Sequence, residues 1–397
     1  MQELELSMMQ HDDGLTRGIR LLLDQFEAEQ HIHVRLTLYP WETAWSELVK
    51  VALYSHGPDV SEVGTTWVSN LIAMNTLRPF AASELVALGG AEAFLPSSWQ
   101  SSTVIGEREV YAIPWLGDTR IIFYRRDLLD KAGVDVATAF NSPRHLALTL
   151  GRLSDHGVDL PWVVPSRYAW NTLHNIVSWI WGAGGDLVTA DGKRVIFDQP
   201  EARAGMKAYF ELYRYLAPEA RYLDGSQSDV FFLRRQVAVT ITGPWLMLMS
   251  RDLNPSVTAN LGVALPPGPP FVGGSNLGVW KHSRQERNAL KLVNFLTSKQ
   301  AQLTHNTSTG LVPVRLETLA SPQFTSDPFY ALLAQGLQAG RSFPAIRFWG
   351  LLEDKLTAAL TQLWNDIFDL PEPDIDKLLD RYLTPLAKQL NDMLSNK

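Results

Sequence analysis

Strand-like and helix-like patterns alternate from the start of this chain, and that alternation limits the possible folds more than any other feature. Leu4, Leu6 and Met8 recur with a period of two, as in a short strand. The turn His11-Asp-Asp-Gly14 has helix-cap character, and Ile19, Leu22, Leu23 and Phe26 follow at helical spacing. His33–Tyr39 alternates again. Pro40-Trp-Glu-Thr opens a second helix with Trp45, Leu48, Val49 and Ala52 on one face, and Gly57-Pro58 introduces a third strand at Asp59–Val63. This order predicts the α/β class, with a parallel, doubly wound sheet. Such sheets bind ligands beyond the C-terminal ends of their strands, here His11–Gly14, Pro40–Thr43 and Gly64–Trp67.

A second α/β region follows Gly117. Arg120–Tyr124 reads as a strand, Trp162–Pro165 as a short one, and Trp170–Trp181 as an apolar helix stopped by Gly182-Ala-Gly-Gly185. Gln199-Pro200 opens a further helix, and Gln236–Ile241 is a strand that runs into Gly243-Pro-Trp245. Leu265-Pro-Pro-Gly-Pro-Pro270 is too rich in proline for a helix or a central strand and reads as a linker. Phe271–Trp280 is a glycine-rich strand, Gln285–Thr297 a helix, and Phe329–Leu394 mainly helical with a break at Asp369–Pro373.

With 397 residues the chain has room for two or three domains at ~100–200 residues each. A net charge of −7 argues against nucleic acid as a partner, since a phosphate-binding surface needs surplus Lys and Arg. The chain has no cysteine, which excludes disulfides, thiolate catalysis and cysteine zinc sites. No run of ~18 apolar residues occurs to cross a membrane. Among catalytic and metal motifs, His31-x-His33 comes nearest to a ligand pair, and it reads as a solvated start of a strand. Gly182-Ala-Gly-Gly185 follows a helix, so it lacks the context of a dinucleotide loop. No metal and no cofactor is expected.

Thirteen tryptophans are the chain's compositional signature. Trp45, Trp179, Trp181 and Trp364 fall on apolar helix faces and read as core, whereas Trp99 and Trp162 fit no pattern. Trp41, Trp67, Trp115, Trp170, Trp245 and Trp349 sit beside turn-forming or polar residues at element ends. An indole is costly to leave exposed unless its face is used, so six together favour an aromatic-lined cleft. In Tyr111–Gly133, Trp115 and Asp118 pair an aromatic plate with an acid that accepts hydroxyl protons, which suits a sugar.

Four segments, in order, resemble the extracellular solute-binding proteins of family 1, the carbohydrate-binding components of bacterial ABC importers. They are Gly57–Trp67 with Leu77-Arg-Pro-Phe80, then Tyr111–Gly133, then Ala238–Trp245, and finally Pro266–Gly268 through Gly273-Gly274 to Leu292–Ser298 and Gly310–Pro313. The resemblance implies a two-lobed periplasmic-binding-protein fold of type II, each lobe a sheet flanked by helices. It implies lobes of 1–116 plus 268–316 and 117–267 plus 317–397, with crossings near 116–119, 265–270 and 313–321. The matching ligand positions are Asp12 or Asp13, Trp41, Glu42, Thr65 and Trp67 from one lobe. Trp170, Asn171, Trp245, Arg347 and Trp349 come from the other, Asp118 from the hinge, and Gly274, Ser275 and Asn276 supply backbone donors. The function implied is capture of a sugar or oligosaccharide by hinge closure and delivery to permease subunits, by a monomer outside the cytoplasm, free or lipid-anchored. The chain opens on Met1-Gln-Glu-Leu-Glu-Leu, already strand-like, so the expectation is a trimmed chain lacking its leader and any anchoring cysteine.

Two other readings compete. One is a glycoside-processing enzyme using a pair among Asp12, Asp13, Glu42 and Asp118. The other is a receptor for an anion such as a glycerol phosphate, which needs convergent cations or helix N-termini.

Overall fold

The computed structural model describes residues 2–10, 13–168, 170–306 and 311–395. The chain divides into two compact units. The first comprises Met1–Asp118, Val272–Gln338 and Ser342–Gly350; the second comprises Thr119–Phe271, Ala339–Arg341 and Leu351–Lys397.

In the first unit, β1 (Gln2–Met9), β2 (Ile32–Tyr39) and β3 (Val60–Gly64) are the three strands expected at the N-terminus. With β4 (Ala112–Thr119), β9 (Val272–Val279) and β10 (Val312–Pro313) they form one sheet in the order β10-β4-β9-β3-β1-β2. β1 pairs in parallel with β2 from Gln2↔Ile32 to Met9↔Tyr39, and with β3 at Leu6↔Val60 and Ser7↔Ser61. The helices Asp13–Gln30 and Trp41–Tyr54 make the two crossovers between these strands. The sheet is not parallel throughout: β9 runs antiparallel to β3 and β10 antiparallel to β4. Both late strands arrive from distant parts of the sequence, so no short helical crossover dictates their direction.

The helix Trp41–Tyr54 follows the extended Pro40 and buries Ala44, Leu48, Val51 and Ala52, the i, i+4, i+7, i+8 stripe that faces a core. The stripe packs into a cluster with Met9, Val63, Leu71, Leu77 and Trp280. A polar thread also crosses this sheet. Ser7 and Ser61 pair their hydroxyls at 2.6 Å, and Trp280 donates Nε1–H to Ser61 at 2.7 Å.

The second unit has its own sheet, β6-β7-β5-β8, built from β5 (Ile121–Arg125), β6 (Leu160–Val163), β7 (Val237–Thr242) and β8 (Leu261–Ala264). β5 lies antiparallel to both neighbours, whereas β6 and β7 run parallel. β8 was not anticipated: four residues directly before the proline run carry too short a pattern. The helix Trp170–Gly182 is buried on every side from Thr172 to Trp181, as its apolar run predicts, and packs against the helix Pro200–Phe210. The C-terminal helical region carries a break missing from the sequence reading. Pro328–Ala339 and Trp349–Asp369 are separated by an irregular stretch, ahead of the anticipated break before Ile375–Ser395. Among the described residues, no helix is long and apolar enough to cross a membrane.

Candidate ligand-binding residues

In the first unit the candidates collect beyond the C-terminal ends of β1, β2 and β3. Trp41 is the first residue of its helix and remains 37% exposed. Trp67 follows β3 in a turn closed by its own N–H to Gly64 O at 2.9 Å, and its carbonyl starts the helix Val68–Ala73 by accepting from Asn70 and Leu71. The ring of Trp67 lies 5.9 Å from that of Trp41 and 5.6 Å from that of Trp45, so three indoles form a row with Trp67 in the middle. Trp45 and Trp67 rest on the core cluster with their rings half-buried. The row thus combines a fixed base with an accessible outer edge. Glu42 is exposed in the first turn of its helix, where a carboxylate suits the helix dipole.

Thr65 is tied to β9 through its N–H, which donates to Gly274 O at 3.0 Å. Gly274 has φ +117 and lies so close to β4 that a Cβ there would sit 2.0 Å from Leu116 O. The next residue, Ser275, is buried and donates its hydroxyl to Glu62 Oε1 at 2.7 Å, while Glu62 Oε2 accepts the Met9 N–H at 2.8 Å. Glu62 was missed by the sequence reading. It is a buried acid that joins the end of β1 to β9 beside the Thr65–Trp67 turn. A lone glutamate among valines in a strand carries no signal that distinguishes this role. Asn276 is buried and donates Nδ2–H to Ser101 Oγ at 2.9 Å. A void of about 10 Å³ opens among Thr65, Thr66, Ser69, Ser101, Ser342 and Trp349, room for about one water and no more.

Two tryptophans singled out in the sequence turn inward. Trp115 is 1% exposed in β4 and stacks on His305 at 5.4 Å. Trp349 is 1% exposed and stacks on Phe343 at 4.5 Å. Trp349 opens a helix as expected, whereas Trp115 lies inside β4, which runs unbroken through Pro114 and Gly117 where the sequence predicts an interruption. Arg347 and Trp349, expected beside Trp170 and Trp245, fall instead in the first unit, where Arg347 is exposed and makes a two-pronged ion pair with Glu107 at 2.7 and 2.9 Å. Asp118, at the end of β4, is half-buried. Asp13 opens the first helix, and Asp12 lies outside the described residues. The two unplaced tryptophans are packing residues: Trp162 is 1% exposed in β6, and Trp99 stacks on Phe94 at 5.6 Å.

In the second unit, Trp170 and Trp245 stand beside a buried polar set that the sequence reading missed. Arg120, just before β5, is 3% exposed, and its Nη2–H group donates to His174 Nδ1 at 3.0 Å. Its guanidinium lies 4.9 Å from the centroid of Trp245 and 5.8 Å from that of Phe271. His174 stacks on Phe271 at 4.3 Å and meets the ring of Trp170 at 4.2 Å. Burial, reinforced by the Arg120 charge, holds the His174 imidazole well below its ordinary pKa, so the ring is neutral and can accept at Nδ1. Trp170 is 36% exposed, and Asn171 beside it lies against Gly225 at the start of the helix Gly225–Arg234. Trp245 is half-buried and donates Nε1–H to Asp229 at 2.7 Å. Arg120 and His174 escaped notice because an arginine at a strand edge and a histidine in an apolar helix each read as ordinary.

Both sets offer what a sugar needs, namely flat apolar ring faces with hydroxyl, amide and charged groups alongside. Among their buried carboxylates, Glu62 accepts hydrogen bonds from Met9 and Ser275, Asp229 accepts one from Trp245, and Glu353 lies 3.9 Å from His174 Nε2.

Residues 12–303 match the family model of bacterial extracellular solute-binding proteins. The diacetylchitobiose binding protein DasA of Streptomyces coelicolor is 23% identical over 349 residues, covering 84% of this chain and 78% of that protein. The GacH receptor of Streptomyces glaucescens, solved unliganded and with acarbose, superposes with a TM-score of 0.84 at 20% identity, over 100% of this chain and 99% of that one. The sugar-binding protein MalE of Xanthomonas citri superposes with a TM-score of 0.83 at 21% identity, over 100% and 98%.

Proposed function

Because this chain belongs to the bacterial extracellular solute-binding protein family, we propose that it is the sugar receptor of an ABC importer, active outside the cytoplasm. The observation that carries the proposal is the row of three indoles Trp41–Trp67–Trp45, whose middle ring rests on the core while its outer member is open to solvent. Stacked C–H faces of a neutral sugar fit such a row, and the hydroxyl of Thr65 stands next to it in sequence. Trp170, Asn171 and Trp245, with Arg120 beneath, form the second unit's contribution to recognition. DasA is named for binding diacetylchitobiose and GacH was solved with acarbose, both oligosaccharides, and the ligand class assigned here follows them. A binding protein releases its ligand unchanged, so no catalytic residue is assigned. Delivery to permease subunits by a monomer completes the reading.

A thermal-shift screen against neutral oligosaccharides and sugar phosphates tests the ligand class. Saturation at one hundred times the dissociation constant stabilises the folded state by about 2.7 kcal/mol. At least one neutral sugar is expected to raise the melting temperature by several degrees, and to be recovered intact after incubation. A rise with phosphates alone points to the anion receptor, and cleaved product to the glycoside-processing enzyme.

A further inference from the structure

Trp245 opens the helix Trp245–Leu253, and three neighbours in its own unit determine where its ring lies. Asp229, 4% exposed on the helix Gly225–Arg234, accepts the indole Nε1–H at 2.7 Å. Gly243 makes room for the ring, since a Cβ there would stand 1.9 Å from its six-membered part. The Arg120 guanidinium lies over the ring at 4.9 Å. All three act on the side chain of Trp245.

We propose that Asp229 is a positioning residue for ligand recognition: it accepts the Nε1–H of Trp245 and so holds the indole in one plane before a ligand arrives. The proposal rests on the sugar-receptor reading and deepens it. A half-buried tryptophan at the first residue of a helix has other rotamers open to it, and choosing among them on binding costs affinity. A buried acceptor at one edge of the ring removes that choice, because turning the ring leaves the acid buried without the bond. Gly243 lets the ring lie close to the backbone, and Arg120 supports it electrostatically.

The hydrogen bond has a built-in reporter. Burial raises the Asp229 carboxyl from 3.8 to about 6, opposed by hydrogen bonds from Trp245 and Thr242 and by the Arg120 charge, and assisted by Asp224. A raised carboxyl stabilises the folded state below 3.8, and that contribution is lost as the pH rises through about 6. Protonation of Asp229 therefore takes place within reach of an ordinary titration.

The test combines two readouts on the whole chain. The first is the indole ¹H–¹⁵N resonance of Trp245, assigned by its loss in W245F and followed with pH in the absence of sugar. The second is affinity for whichever sugar stabilises the wild type. The resonance is expected to titrate near pH 6 in the wild type and to stay flat in D229N, which keeps a carbonyl oxygen as acceptor. Affinity is expected to remain within about threefold in D229N and to fall about tenfold in D229L, which has no acceptor. A wild-type resonance that is flat through this range, or a D229L protein that binds as the wild type does while Trp245→Ala does not, overturns the proposal. If D229L fails to fold, the flat resonance and retained affinity of D229N against the titrating wild type still decide. A wild type that binds no sugar overturns the receptor reading, whereas the sugar-free resonance still supports or overturns the hold of Asp229 on the ring.

Discussion

Gly274→Ala is expected to destabilise the protein by about 3 kcal/mol or more, lowering its melting temperature by roughly 4–7 °C. The added methyl group would meet the carbonyl oxygen of Leu116 at 2.0 Å and the α-carbon of Gly117 at 2.9 Å. Both are backbone atoms of the neighbouring strand and cannot rotate away. The backbone at Gly274 also has φ +117, a region closed to residues with a side chain. Relief requires β9 to separate from β4, and β9 is the strand whose Gly274 carbonyl holds Thr65 and whose Ser275 hydroxyl holds Glu62. Gly90→Ala is the natural control. Its φ is +66 with ψ −168, a backbone region that also favours glycine, and nothing lies within 4 Å of the new methyl group, so strain acts without a clash and the cost is about 1–3 kcal/mol, below that of Gly274→Ala. Thermal unfolding of the two variants side by side measures the difference. Equal losses would show that the close approach of β9 to β4 has been misread.

Trp67→Ala is expected to weaken sugar binding about 30-fold, or ~2 kcal/mol, the scale of a buried aromatic anchor in a recognition site. Trp67 is the middle ring of the row, so its loss removes one stacking face and leaves Trp41 and Trp45 without the ring between them. Because the ring also caps the core around Val68, Leu71 and Leu77, stability should fall as well, by about 2 kcal/mol. Trp41→Ala separates the two effects. At 37% exposure it contributes little to folding, so its stability should stay within about 0.5 kcal/mol of wild type while affinity falls about tenfold. Titration calorimetry and thermal unfolding of the same three proteins give both numbers. A Trp67→Ala protein of unchanged affinity would remove the aromatic row from the binding site.

The parts of the fold that were legible in the sequence are those written locally. β1, β2, β3 and their two crossover helices follow from periodicity alone, and Gly243-Pro-Trp245 announces both the end of β7 and a tryptophan held at it. Strand direction beyond β3 was not legible, because β9 and β10 return from segments far along the chain. Trp41, Trp170, Trp245 and Trp349 do stand at element ends, but Trp115 lies inside β4, and the direction of the side chains was not legible. Trp41 and Trp170 face solvent, while Trp115 and Trp349 turn into the core, and nothing in their neighbouring residues separates the two pairs. The buried polar residues were the largest omission. Glu62, Arg120, His174 and Asp229 owe their roles to hydrogen-bond partners between 13 and 213 positions away, on other elements. No spacing rule within a strand or helix reaches such partners. They are also the groups that hold the recognisable residues in place, so the sequence displayed the rings of the site and concealed their supports.

The central claim is that this chain binds a neutral sugar through its indole faces, and calorimetric titration of the wild type with a panel of neutral mono- and oligosaccharides tests it most directly. Saturable one-to-one binding by at least one member is the expected result. It should carry a negative heat-capacity change from burying apolar ring faces, and the sugar should be recovered unaltered. No heat from any neutral sugar, together with saturable binding of a sugar phosphate, would contradict it.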